Sequence, residues 1–193
     1  GVGRLRLVDH DTVDVSNINR QLHALDSSVG RPKVEVLTQR FLEINPCMEV
    51  EPVMHFYSPA NGSHLLSGGF DWVVDAVDTV TVKLDIIRRC LTLGLPVISS
   101  MGAGNRLDAT QLRVDDIAQT CNCPLARVIR KELGKEGIRS GVPVVWSPEL
   151  PWTPQEPMTQ ASRRQLPGSI SFVPATAGLL MASHIVNCLL QLK

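Results

Sequence analysis

Asp71 to Ser100 read DWVVDAVDTVTVKLDIIRRCLTLGLPVISS, and this stretch decides the fold. DWVVDAVD (Asp71–Asp78) is apolar almost throughout between its acids, the pattern of a parallel strand covered on both faces. VKLDIIRRCLTLG (Val82–Gly94) follows as a helix that ends at a glycine. LPVISS (Leu95–Ser100) is the next strand. Strand, helix and strand in succession make a βαβ unit, and a parallel sheet with crossover helices is the architecture it predicts.

The alternation extends both ways. RLRLVD (Arg4–Asp9) reads as a strand. KVEVLTQRFLEIN (Lys33–Asn45) places Val34, Leu37, Phe41 and Ile44 on one helical face, and Asn45-Pro46 stops it. EVEPVM is a weak strand whose Pro52 assigns it to an edge. Past Gly102, TQLRVDDIAQT reads as a strand with a short acidic turn. PLARVIRKELGKEG is a helix with basic residues on its exposed side, and VPVVWS is one more strand. Seven of the 13 prolines fall between Pro143 and Pro174, so residues 148–168 form an extended loop. ATAGLLMASHIVNCLLQL (Ala175–Leu192), interrupted by Ser183, His184 and Asn187, reads as a buried helix that closes the core. The expectation is a doubly wound, Rossmann-like α/β fold with a mostly parallel sheet, one domain over residues 1–193.

At 193 residues and 44% hydrophobic, the chain has material for one sizeable core. Its formal net charge of zero argues against a general polyanion binder and leaves room for a local basic patch. Five cysteines, an odd count at irregular spacing, point to a reducing compartment rather than a disulfide framework. No secretory signal is visible, and no uninterrupted apolar run reaches the roughly 18 residues of a membrane span, so a cytoplasmic setting is expected. GVGRLRLVD opens almost directly in a strand, with no Met and nothing before it to pair with. It reads as an N-terminally truncated fragment whose first strand and helix are missing.

Chemistry concentrates just past the first strand, in VDHDTVDVSNINRQLHAL (Val8–Leu25). Asp9 stands where a strand-end carboxylate accepts hydrogen bonds from ribose hydroxyls, although for a lone Asp a turn or helix cap is the commoner role. Asp11, Asn17 and Gln21 add an acid and two amides. Arg20 and Lys33 are natural partners of a polyphosphate, and surface ion pairs explain each of them about as well. Asp75 and Asp78 end a later strand, and Asp78 could hold a Mg²⁺ that bridges phosphates.

DHDTVDVSNINRQLHAL, VGRPK and DAVD (Asp75–Asp78) together resemble the adenylate-forming family of ubiquitin-activating enzymes and the bacterial relatives that activate sulfur-carrier proteins. The ordered match runs from about Arg4 to Gly104. The resemblance implies ATP and Mg²⁺ as cofactors, with Asp9 on the ribose, Asn17, Arg20 and Lys33 on the phosphates, and Asp78 on the metal. Asp11 and Gln21 join the nucleotide-binding set, and Arg20, Lys33 and Asp78 form the catalytic set. It also implies a homodimer, and a sulfur-relay or redox protein partner belongs to the same family context. The family's glycine-rich phosphate loop precedes this strand and is expected to be absent from the fragment, which is then expected to bind ATP weakly.

His23-Ala24-Leu25, SSMGAGNRLDATQLRVDDIAQT and CPLARVIRKEL resemble the branch that uses ATP to cyclise the threonylcarbamoyl group on adenosine 37 of tRNA. Sulfur-carrier-activating relatives hold zinc in two C-x-x-C pairs. Cys121 and Cys123 are separated by a single residue and no such pair exists, so no zinc is expected. Cys90 and Cys188 fall inside helical patterns as core residues. Arg127, Arg130, Lys131, Lys135, Arg139 and the Arg163-Arg164 pair could neutralise tRNA phosphates, and a solvated helix face explains the helical ones as well. Three other readings remain: adenylation of a ubiquitin-like carrier's C-terminus, a non-catalytic binding remnant, and a dinucleotide-dependent dehydrogenase.

Overall fold

The structure, a computed structural model, describes residues 2–152 and 168–191 and divides into two units, Gly1–Ser67 and Gly68–Lys193. In the first unit, β1 (Arg4–Val8) leads through a long polar loop to α1 (Lys33–Ile44), β2 (Glu49–Val53) and the short α2 (Gly62–Leu65). β1 and β2 pair in parallel, with Leu7 opposite Pro52. Arg6 ties the unit together: its Nε pairs with Glu51 at 2.8 Å, and its Nη1 donates to the Leu65 and Ser67 carbonyls at 2.9 and 2.7 Å. The face predicted for α1 is buried at Val34, half-buried at Leu37 and Phe41, and open at Ile44.

The second unit is a four-stranded sheet in the order β3 (Val73–Asp75), β4 (Val97–Ser100), β6 (Pro143–Trp146), β5 (Arg113–Asp116). Its first three strands are parallel, and β5 runs antiparallel to β6. Successive strand residues face opposite ways. Val144 and Trp146 meet α3 (Val80–Leu93) and α4 (Pro124–Gly134) through Leu84, Ile87, Ala126, Ile129 and Leu133. Val145 and Ile98 face the other way, onto Ala177 and Met181 of α5 (Phe172–Leu189). Helices on both faces make the sheet doubly wound, as the sequence predicts. Gly94, at φ 64°, ends α3, and Leu95 N–H returns to the Cys90 carbonyl at 2.9 Å. Cys123 caps α4, with Pro124 in its first turn.

Three expectations are corrected. β3 spans three residues instead of eight, and its Val74 is 53% exposed because β3 is an edge strand. α5 is not a buried helix: of its residues only Val173, Ala177 and Met181 are buried, while Leu179 is 70% exposed. A helix lying on one sheet meets it along a single stripe, so all-round apolarity leaves the far side open. The same geometry leaves Cys188 exposed rather than in the core. α5 reaches a mean hydropathy of 1.5 over 18 residues, enough to cross a membrane by length and composition only, a mark that an apolar helix lying on a sheet can carry as well. Most of the expected loop at 148–168 lies outside the described residues.

Candidate nucleotide site

The loop after β1 is held by backbone pairing to the start of α1. Val13 N–H donates to the Arg31 carbonyl and Gly30 N–H to that of Val13, each at 2.8 Å, and Lys33 N–H donates to the Asp11 carbonyl at 3.0 Å. Gly30 turns there at φ 84°, a conformation that favours glycine. Val13, 2% exposed, anchors the loop. These bonds bring Lys33, from the first turn of α1, to the strand end, where its Nζ lies 2.7 Å from Asp11 Oδ2. That hydrogen bond holds the Asp11 carboxyl below the usual carboxylate range. Asp9 Oδ1 accepts the Asp11 N–H at 2.9 Å, and its other oxygen takes no hydrogen bond among the described residues.

Asp14 caps the turn Val15–Asn17, and Asn17 Oδ1 accepts the Asp14 N–H at 3.1 Å in return. Asn17 is thus buried and engaged in the loop's own fold. Arg20 folds back, its Nη1 donating to the Ser16 carbonyl at 2.7 Å and to Asn19 Oδ1 at 3.1 Å. Gln21 Oε1 and His23 Nε2 are buried without a partner among the described residues. Burial, and then the Lys33 charge, push the His23 imidazole below its ordinary range. Asp9, Asp11, Asn17, Arg20, Gln21 and Lys33 therefore share the one loop and helix start that the sequence predicts. A strand-end carboxylate with open lone pairs, two cations and unsatisfied amide and imidazole groups fit a sugar phosphate.

Asp78 belongs to the second unit. It is exposed after β3, accepting only the Thr79 hydroxyl at 3.3 Å, and no cation pairs with it among the described residues. Such a carboxylate fits a hydrated Mg²⁺. Behind it lies a cluster that sequence reasoning missed. Lys83, on α3, is fully buried, with Nζ 2.8 Å from Asp75 Oδ2, 3.2 Å from Ser99 Oγ and 2.9 Å from the Ser100 carbonyl. Ser99 Oγ donates to the same Asp75 oxygen at 2.5 Å. The available signal was Lys83 lying at helical spacing from Ile87 and Cys90, on the apolar face.

Asp9, His10 and Asp11 present ligand atoms within 4.8 Å of one another, but Lys33 already supplies their cation. Cys123 Sγ accepts the Ala126 N–H at 3.5 Å as a helix cap, and Cys121 is exposed. Of the basic residues on and after α4, Arg130 turns inward onto Thr120 and Lys135 pairs with Glu132 at 2.6 Å. Arg127, Lys131 and Arg139 are exposed, and Arg163-Arg164 lie outside the described residues.

The chain belongs to the ThiF family, whose profile matches residues 1–193 and so spans both units. It is 42% identical over 200 residues to the tRNA threonylcarbamoyladenosine dehydratase of Bacillus subtilis, covering 99% of this chain and 79% of that one. The crystal structure of the Escherichia coli tRNA N6-threonylcarbamoyladenosine dehydratase in complex with ATP superposes at a TM-score of 0.89 and 34% identity, over 98% of this chain and 76% of that one. Molybdopterin-synthase adenylyltransferase of Salmonella typhimurium, 38% identical, matches 56% of this chain and 42% of its own length.

Proposed function

We propose that the chain is an ATP-dependent cyclase that removes water from the threonylcarbamoyl group on adenosine 37 of tRNA. The likeness to an ATP-bound dehydratase, over 98% of this chain and 76% of that one, carries this reading. The substrate carboxylate attacks the α-phosphate and pyrophosphate leaves, giving an acyl-adenylate. Internal attack on the activated carbonyl then closes the ring and expels AMP. In this reading Asp9 receives the ribose hydroxyls, Arg20 and Lys33 meet the phosphates, and Asn17, closed in its capping box, and Gln21 shape the loop around them. The chain supplies chiefly position and positive charge. Lys33 is nine-tenths buried, so its ammonium acts in a less polar setting than bulk water and its attraction for phosphate is correspondingly strengthened. Asp11 keeps that ammonium aimed at the loop. Asp78 would hold Mg²⁺, which neutralises phosphate charge when bound. A homodimer, a cytoplasmic setting and a sulfur-relay or redox partner belong to the same reading.

Incubation of the full-length protein with ATP, Mg²⁺ and threonylcarbamoylated tRNA, followed by mass spectrometry of the digested nucleosides, tests it. The expected product is lighter by one water, needs ATP and disappears in Asp78→Ala. AMP release that requires a ubiquitin-like carrier, with no change in nucleoside mass, would instead support the second reading. That reading rests on the partial match to the molybdopterin-synthase adenylyltransferase.

A further inference from the structure

Arg106 is 2% exposed and heads the fully buried side chains by volume. Its Nη2 donates to the Asn122 carbonyl at 3.0 Å, while Nε and Nη1 have no partner among the described residues. A guanidinium stays protonated inside a protein. Burial therefore leaves a positive charge whose Nε and Nη1 donors face no acceptor among the described residues, an arrangement that folded chains avoid unless a ligand or water completes it.

Carboxylates on the same loops are committed elsewhere. Glu149 accepts the Leu107 and Asp108 N–H groups at 3.0 and 3.1 Å. Asp108 accepts the Thr110 N–H at 2.9 Å and Gln111 Nε2 at 2.8 Å. Among the described residues no carboxylate pairs with Arg106.

Its position indicates the ligand. Arg106 lies in the loop leaving the carboxyl end of β4, the edge where open α/β sheets receive ligands. Asp78 after β3 and residues 147–152 after β6 leave the same edge, since the three strands are parallel. Two asparagines in left-handed backbone, Asn105 at φ 56° and Asn122 at φ 50°, brace the surroundings. Asn105 exchanges bonds with Gly168, 2.8 Å from its N–H and 2.6 Å to its Oδ1, and its carbonyl accepts the Trp152 N–H at 2.8 Å. Asn122 Nδ2 donates to the Pro148 carbonyl at 2.8 Å. The guanidinium is thus preorganised between loops fixed through their backbones.

We propose that Arg106 receives an oxyanion of the RNA substrate, either the carboxylate of the modified nucleoside or a backbone phosphate, and so holds the substrate directly. This rests on the RNA-modifying reading above. The test uses full-length wild type, Arg106→Met and Arg106→Lys. Inorganic phosphate should raise the melting temperature of the wild type by more than that of Arg106→Met, which keeps only the Arg20 and Lys33 site. In the absence of phosphate, Arg106→Met should melt no lower than wild type, because it removes an unpaired buried charge. Affinity for threonylcarbamoylated tRNA should fall by roughly 10- to 100-fold in Arg106→Met, the range for a charge-assisted bond, with Arg106→Lys intermediate. A loss confined to the modified tRNA identifies the carboxylate, and an equal loss with tRNA lacking the group identifies a phosphate. Wild-type RNA affinity in Arg106→Met overturns the proposal. If Arg106→Met does not fold, wild-type affinity in Arg106→Lys together with no phosphate shift in wild type overturns it. A wild type that binds phosphate through Arg106 yet removes no water from the nucleoside overturns the cyclase reading and leaves the anion seat standing.

Discussion

Lys83 Nζ lies 2.8 Å from Asp75 Oδ2, and both side chains are completely buried. Ser99 and the Ser100 carbonyl complete the contacts of the ammonium, so the pair is hydrogen-bonded as well as neutralised. A buried pair with its remaining donors satisfied tolerates the interior, whereas half a pair does not. The consequence is an anchor between the β3 end and α3, directly behind the loop that carries Asp78.

Removing one partner should therefore be costly. Lys83→Met leaves Asp75 buried without its cation and is expected to lower stability by about 3–5 kcal/mol in urea unfolding. Adding Asp75→Asn to Lys83→Met should recover part of the loss. A single variant within about 0.5 kcal/mol of wild type would contradict the anchor.

Lys33 and Asp11 separate binding from pairing. Lys33→Met should raise KM for ATP by roughly tenfold or more, the scale of a charge-assisted bond to phosphate. Asp11→Asn keeps the ammonium, so the same measurement should show little increase. Equal increases in both variants would mean that the pair matters only to the loop's own geometry.

His23 predicts a pH dependence. Burial, followed by the Lys33 charge, lowers its folded pKa from the ordinary 6.5. The unfolded chain then binds the proton first on acidification, so this contribution is present above 6.5 and is lost as pH falls through the folded value. Melting temperatures between about pH 8 and pH 5 should fall with acid. His23→Gln should flatten that decline, and an unchanged slope in the variant would assign it to other groups.

Cys90 should resist alkylation. Burial, with Asp75 adding negative charge, pushes its thiol up to about 11, so little thiolate exists at neutral pH. Brief labelling of the folded protein, followed by peptide mass spectrometry, should modify the exposed Cys47, Cys121 and Cys188 and leave Cys90 free. Labelling of Cys90 at the rate of Cys121 would show that its surroundings open.

Local chemistry made much of the site legible. Asp9, Asp11, Asn17, Arg20, Gln21 and Lys33 all fall on the strand-end loop or the helix start that the residues themselves predict, because turn and cap signals act over a few positions. Side-chain partners were not legible. Nothing in the sequence shows that Asn17 closes a capping box rather than facing outward, or that Arg20 folds onto Ser16.

The sequence alone determined the order of the main strands and helices, the end of α3 at Gly94 and the loop that gathers Asp9, Asp11, Asn17, Arg20 and Gln21, since periodicity and backbone preference are properties of short segments. The tertiary structure alone decided which charges lie inside. Lys83 reads as one more helical lysine until α3 packs against β4, and Arg106 as a polar loop residue until its turn closes on Asn122. It also decided that α5, apolar all round, covers the sheet with one stripe and leaves Leu179 and Leu189 open. Burial depends on which segments meet, and those meetings join residues far apart in the chain.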